Sequence, residues 1–307
     1  MHADLELNPR TSGELRIETL QLPSGDMWSR ISGQTSYSNK NLILRDFNLS
    51  DQEQLHLLTI DASQIEANAL SVALNCTVGG GQISASAVLS ETKSSLDAKL
   101  QVIAQKVAAE ALNKFLVIPE NYLAGEIDRL NLDGSGAIDA PRTWTGTLSL
   151  QLNNVHRPLI NFDRGVVEFS AEKGRGILRS ADIVQDVNNF HFRGGTELPA
   201  TIQDFGRTPT NLEISGTAPD LARLTAGAAV RLTGSAQFNG KIDVVNATVE
   251  ADLGVSAEAV GFQDGTIDKL NSRLRASKRV VRGDNKRPRS EERRVGKECR
   301  SRWSPYH

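Results

Sequence analysis

The sequence predicts a mainly β protein: a long antiparallel, strongly bent sheet that forms an open apolar groove, with one amphipathic helix. Short runs of alternating polar and apolar residues recur along the chain, and glycines separate them at short intervals. Many short strands with turn signals between them are typical of all-β architectures. The spacing of the runs is irregular, which favours a meander of hairpins over a solenoid with a fixed repeat.

The first predicted segment, residues 1–96, is a β-rich part of this elongated sheet. Its runs begin at Gly13, Asn41, Gln54, Asn68 and Gly81, and they read GELRIETLQL, NLILRDFNL, QLHLLTID, NALSVALN and GQISASAVLS. Each run has the length of a single strand. We therefore expect successive hairpins over this part of the chain.

The second predicted segment, residues 97–119, is an amphipathic helix. Asp97 lies near its start, Lys114 lies near its end, and Pro119 stops the run. Its apolar residues recur at helical spacing: Leu100, Ile103, Ala104, Val107, Ala108, Ala111, Leu112 and Phe115. Such a helix would either cover an open end or face of the sheet or serve as a lid over a ligand groove. Its polar face is not rich in Lys and Arg, which argues against a membrane-surface helix.

The third predicted segment, residues 120–288, continues the groove, and its clearest stretch is 211–276. Apolar residues occupy even positions until Val245 and Asn246, and odd positions afterwards. Because neighbouring strand residues point to opposite faces, this flip marks a turn that keeps the apolar side of both strands on one face. A second short helix is expected at 219–225, where a proline and an acidic residue suit the first turn. The residues predicted to line the groove are Val230, Leu232, Ala236, Phe238, Ile242, Val244, Val249, Ala251, Leu253 and Val255.

Residues 289–307, RSEERRVGKECRSRWSPYH, resemble a translated sequencing-library adapter, and we interpret them as an artefactual tail; a genuine basic tail is the alternative. The tail holds six Lys and Arg and three Asp and Glu, so the remainder has 29 basic and 34 acidic residues and a net charge of −5. This mildly acidic balance does not favour nucleic acid as a partner. Cys76 is then the only cysteine, which excludes an intrachain disulfide and a CxxC metal site. We expect the chain to be a fragment of a longer protein.

The motif search indicates no enzyme, cofactor or metal site. The sequence contains no HExxH, GxSxG, GxxxxGK or GxGxxG pattern. His56, His156 and His191 are scattered, without the spacing of metal ligands. The stretch DGSGAID at 133–139 lacks the closing Glu of a calcium loop and is better interpreted as a turn between strands.

The pattern of the strands resembles the TamB/AsmA-like family of bacterial cell-envelope proteins. The resemblance rests on NFDRGVVEFSAEKGRGILRSADIVQDVNNFHFRGGTEL at 161–198, LEISGTAPDLARLTAG at 212–227 and LTGSAQFNGKID at 232–243, with a glycine-marked step from Gly234 to Ile242. It implies a β-groove that is anchored in the inner membrane and spans the periplasm. It also implies transport of phospholipid, through its acyl chains, toward the outer membrane. An outer-membrane β-barrel partner and a role in outer-membrane protein assembly follow from the same resemblance, which brings no cofactor and no catalytic residue.

Three alternatives stay open at this stage. The sheet could fold into a dry sandwich whose two halves cover each other. The chain could be an extracellular adhesin or structural β-protein, which a fixed repeat and Asn/Thr ladders would favour. It could also be a β-helical enzyme acting on polysaccharide, which would need acidic and basic residues clustered along one exposed ridge.

Overall fold

The computed structural model describes residues 10–22, 25–92, 95–114, 124–156, 161–226, 230–262 and 265–279. These residues form a single sheet of sixteen strands. In chain order the strands are β1 (Arg10–Gln21), β2 (Met27–Ser38), β3 (Asn41–Asn48), β4 (Gln54–Asp61), β5 (Ala69–Val78), β6 (Gly81–Glu91), β7 (Leu96–Ala108), β8 (Glu126–Ala137), β9 (Thr145–His156), β10 (Asn161–Glu172), β11 (Arg175–Gln185), β12 (Asn188–Glu197), β13 (Thr210–Ala218), β14 (Leu232–Val245), β15 (Thr248–Phe262) and β16 (Gly265–Arg279).

The strands form an antiparallel meander, because each strand pairs with the one before it and the one after it in the sequence. The predicted mainly β, antiparallel class is confirmed. The predicted strong bend is not found, since the sheet is neither closed nor strongly curled. The described parts of the predicted segments 1–96 and 120–288 lie in this one sheet, and residues 289–307 lie outside the described residues.

The predicted helix over 97–119 is wrong for its described part. Residues Leu96–Ala108 form β7, and only Ala109–Leu112 form a helix, α1; residues 115–119 lie outside the described residues. β7 pairs along its length with β6 and with β8, so two ladders of backbone hydrogen bonds hold it extended. This non-local pairing overrides the helical spacing of its side chains.

A repeated bulge explains that misleading spacing. In five strands, a residue with φ between 50° and 59° is followed by an apolar residue that is at most 8% exposed. The left-handed residue breaks the alternation, so the apolar side chains before and after it are three positions apart and still share a face. Three-residue spacing also occurs in helices, which is why 104–107 looked helical. The pairs are Arg30 and Ile31, Asp46 and Phe47, Lys106 and Val107, Asn154 and Val155, and Ala259 and Val260.

The second predicted helix is present but shorter. Helix α2 spans Leu221–Leu224, and the Asp220 carboxylate caps it by accepting hydrogen bonds from the backbone N–H groups of Ala222 and Arg223. Asp220 therefore stands at the N-cap rather than in the first turn, where a side-chain oxygen satisfies otherwise unpaired donors. Leu221 is buried against the ends of β13 and β15.

Glycines within the strands provide space for aromatic rings of the neighbouring strand. A Cβ at Gly216 would lie 2.5 Å from the Phe238 ring, and one at Gly33 would lie 2.3 Å from the Phe47 ring. Gly176 faces Phe169 in the same way. Some of the glycines noted in the sequence therefore lie inside strands, where the missing side chain leaves room for a large ring to lie flat on the sheet.

Candidate functional site: a continuous apolar face

One face of the sheet carries an uninterrupted line of apolar residues, which we call the central row. Each member is the cross-strand partner of the next, with one residue from every strand between β3 and β16. The side chains of the row are all aliphatic or aromatic hydrocarbon, apart from Gly194, which has none, and no ionisable group interrupts the row. The row consists of Leu44, Leu58, Leu74, Ala85, Val102, Leu132, Leu148, Phe169, Leu178, Gly194, Leu212, Ile242, Ala251 and Ala276.

The central row is only partly buried. Its members from Leu44 to Ala251 have intermediate exposure, and Ala276 on β16 is exposed. The buried apolar clusters hold four or five residues each and lie at the ends of strands. The described residues form one sheet and no second sheet packs on the row, so the dry sandwich is not the observed arrangement.

The predicted groove residues that lie in β14 and β15 are on this apolar face, and their role in binding lipid stays a prediction. Phe238 pairs with Val255, Ile242 with Ala251, and Val244 with Val249. The phase flip at 245–246 thus brings the even row of β14 opposite the odd row of β15. Leu232, Ala236 and Leu253 have intermediate exposure, whereas Val230 precedes β14 and is 46% exposed.

The opposite face is polar and carries exposed ion pairs. Arg273 Nε lies 2.6 Å from Asp252 Oδ1, and Arg193 Nε lies 2.6 Å from Glu213 Oε2. The hydrogen bond from Arg273 holds the pKa of Asp252 below its usual value. Exposed pairs of this kind contribute little stability, so their main effect is to keep this face in water.

At one end of the strands, α1 folds over the apolar face. Ala111 packs in a cluster with Cys76 and Val107, and Leu112 lies against the same cluster. Lys114 Nζ donates to Glu53 Oε1 at 2.8 Å, and the Glu53 side chain is only 1% exposed. We call α1 with Lys114 the strap, because it crosses from β7 to the β3–β4 connection and covers this end of the face.

At the other end of the strands, two connections meet above β8–β12, and we call them the arch: residues 138–144 and 198–207. The Arg142 backbone N–H donates to the carbonyl oxygen of Pro199 at 2.9 Å, and the Leu198 N–H donates to Gly174 at 2.8 Å. The Trp144 indole N–H donates to the carbonyl oxygen of Ala137 at 2.7 Å, which fixes the ring above the sheet.

A cavity of about 520 Å³ lies between the arch and the sheet. Leu132, Leu148 and Phe169 of the central row form its floor. The arch supplies its walls with Ile138, Pro141, Trp144, Leu198 and Ile202. This volume is typical of a small-ligand pocket, and the cavity opens onto the row.

Sequence reasoning missed the cavity. Its floor residues alternate like those of β14, so the floor could have been found by extending the same count to 126–172. The walls could not, because they come from connections distant in the sequence and joined by backbone hydrogen bonds. The sequence offered one signal for the walls: a large aromatic residue, Trp144, shortly before β9, with Gly134 and Gly136 of the preceding strand leaving room for its ring.

The three histidines singled out in the sequence lie apart from one another. His56 bonds to Thr77, His156 to Asn161 and His191 to Asp182. Within the described residues, no three His, Cys, Asp and Glu side chains gather as a metal site would require. Nor does this part of the chain contain a helix of the length and apolarity needed to cross a membrane.

No protein-family profile matches the chain, and no curated protein and no solved structure matches it either. Its function is therefore inferred from the chemistry of the apolar face.

Proposed function

We propose that the chain is a segment of a cell-envelope protein that carries phospholipid along the apolar face of its sheet. The observation that supports this proposal best is the central row, which runs from Leu44 to Ala276 without a charge. Strands lie about 4.8 Å apart, so the row is about 60 Å long. Acyl chains lie along this row, and head groups stay in water.

The energetics favour such a ligand. Monomeric proteins rarely expose a continuous apolar surface this long unless it binds something. Each methylene group removed from water contributes about 0.8 kcal/mol, and a row of similar side chains offers nearly the same contribution at each step. A lipid can therefore bind anywhere on the row and move along it without leaving one deep site.

The place of action follows from the resemblance to the TamB/AsmA-like family. In this proposal the chain belongs to a periplasmic bridge, is held by an inner-membrane anchor outside the described residues, and delivers phospholipid toward the outer membrane. The open apolar face serves as the groove, and the strap and the arch border it at opposite ends of the strands. An outer-membrane β-barrel is the proposed protein partner, and help with outer-membrane protein assembly is the second part of the role.

The alternative is an extracellular structural or adhesin-type β-protein without lipid transport. A long single sheet with a polar face and exposed edges is compatible with that role. The half-exposed central row disfavours it, because a free-standing structural sheet gains nothing from an uncovered apolar surface and risks aggregation.

Paired photo-crosslinking in cells tests the proposal, with the probe in the longer parent protein. One probe replaces Phe238, which lies on the apolar face and stacks on Phe190 with ring centroids 5.6 Å apart. The control probe replaces Asn239, the exposed next residue on the opposite face. We expect phospholipid adducts at Phe238 and none at Asn239. Equal labelling, or none at either position, would contradict the lipid-carrying face and favour the structural alternative.

A further inference from the structure

We infer that the cavity under the arch is a resting site for one acyl chain, where a lipid pauses on its way along the sheet. This inference rests on the proposed function and deepens it by assigning a discrete site. The cavity differs from the rest of the face because it has walls as well as a floor. A hydrocarbon chain there contacts the sheet on one side and the arch on the other.

The lining selects a hydrocarbon over a polar ligand. Asp133, Thr145 and Thr147 border the cavity, but they alternate with its floor residues and belong to the opposite face. Thr196 does lie on the cavity side, and its hydroxyl bonds to that of Thr210 at 2.7 Å. A polar ligand would lose its water and gain few partners, whereas a methylene chain loses nothing.

The polar groups of the arch are already engaged as well. The Trp144 indole N–H bonds to Ala137, and the backbone N–H of Arg142 bonds to Pro199. The Arg142 Nε lies 3.4 Å from the Leu198 carbonyl oxygen, so this cation helps to tie the two connections together. These hydrogen bonds hold the arch in place, and the apolar side chains of the arch face the cavity.

The site lies on the central row, so a chain that travels along the row must pass it. Phe169 stands between β9 and β11 in the row and also forms the cavity floor. Contact on two sides removes more of each methylene from water than the open row does. A chain is therefore held longer here than at Ile242 or Ala85, where none of the described residues forms a wall above the row.

Fluorescence quenching of Trp144 tests the site. Trp28→Phe and Trp303→Phe leave Trp144 as the only tryptophan, and stearic acid brominated at carbons 9 and 10 is the probe, with plain stearic acid as its control. We expect saturable quenching at one acid per chain. Ala171→Phe places an aromatic ring in the cavity and should weaken apparent affinity at least tenfold. Ala87→Phe, on the same face but away from the arch, should leave it unchanged.

A second variant guards against misfolding of the first. Ile202 is 60% exposed at the cavity mouth, so Ile202→Asp places a charge there without disturbing a core, and it should also weaken quenching. Circular dichroism and thermal unfolding check all variants. Quenching that neither Ala171→Phe nor Ile202→Asp changes overturns the resting site and leaves the lipid-carrying face intact. Absence of quenching overturns the site, and the Phe238 crosslinks then show separately whether the face carries lipid.

Discussion

Single residues in the left-handed conformation keep apolar side chains on one face of the sheet where the alternation of the strand breaks. At Arg30, Asp46 and Lys106 the chain skips one position, and the next apolar side chain turns back to the face. A non-glycine residue pays about 1–2 kcal/mol for this conformation. The cost is offset because Ile31, Phe47 and Val107 become buried rather than exposed.

Replacing Lys106 by glycine should therefore be neutral or stabilising, by up to about 1 kcal/mol, because relief of the left-handed strain exceeds the entropy cost of glycine. Lys99→Gly is the matched control, since Lys99 is also exposed on β7 but lies in regular strand. It should cost about 0.5–1 kcal/mol. Urea unfolding of the two variants measures the difference. An equal loss in both would mean that the bulge at Lys106 carries no strain.

At the scale of elements, the sequence pattern predicted the mainly β, antiparallel character of the chain better than it predicted the boundaries of individual elements. The alternation in 211–276 is long and unbroken, so the facing of β14 and β15 could be read directly. In 96–108 the bulge at Lys106 shortens the strand-like run, and Ala108 to Leu112 continue it with helix-forming residues. The deciding factor was pairing with β6 and β8, which a local pattern does not contain.

The strap is the element whose role is most open to a direct test. Burial raises the pKa of the Cys76 thiol, and α1 covers it, so the thiol should react slowly with iodoacetamide. Lys114→Met removes the cation that faces the buried Glu53 carboxylate. An unpaired buried carboxylate is costly, and Lys114 is partly exposed, so we expect a local loss of about 1.4 kcal/mol and about tenfold faster alkylation.

Two controls make this result specific. Cys299→Ser in the background leaves Cys76 as the only thiol. Lys99→Met removes an exposed lysine from β7, away from Glu53, and should leave the alkylation rate unchanged. If Lys114→Met also left it unchanged, the contact with Glu53 would not hold the strap in place.

At the scale of the whole molecule, the sequence predicts that each strand has one apolar side, but not how these sides align across the sheet. That each strand has one apolar side follows from period-two alternation. That these sides align into one row over fourteen strands requires the register of every hairpin, and that register shifts in the β4–β5, β8–β9, β10–β11, β11–β12 and β14–β15 pairs. The arch lay beyond prediction altogether, since backbone hydrogen bonds between residues 142 and 199 join its two halves.

A continuous row makes a further demand on the proposed transport. If lipids move along the row from strand to strand, they must pass every position, so one obstacle slows the whole transport. If the face only stores lipids that bind independently, an obstacle removes only the lipid bound at that position. Ile242→Asp and Leu148→Asp each place a carboxylate in the row, far apart along the sheet. Lipid that passes must leave that carboxylate poorly hydrated, at a cost of about 2 kcal/mol, which slows passage about thirtyfold.

We therefore expect either substitution alone, in the longer parent protein, to slow delivery of labelled phospholipid to the outer membrane. Asn239→Asp, which adds the same charge to the polar face, should not slow it. Combining the two row substitutions should slow delivery by no more than about twofold beyond the slower single variant, because the resistances of successive barriers add and do not multiply. A partial loss from each that sums in the double variant would instead identify the face as a storage surface, on which lipids bind independently and do not pass from strand to strand.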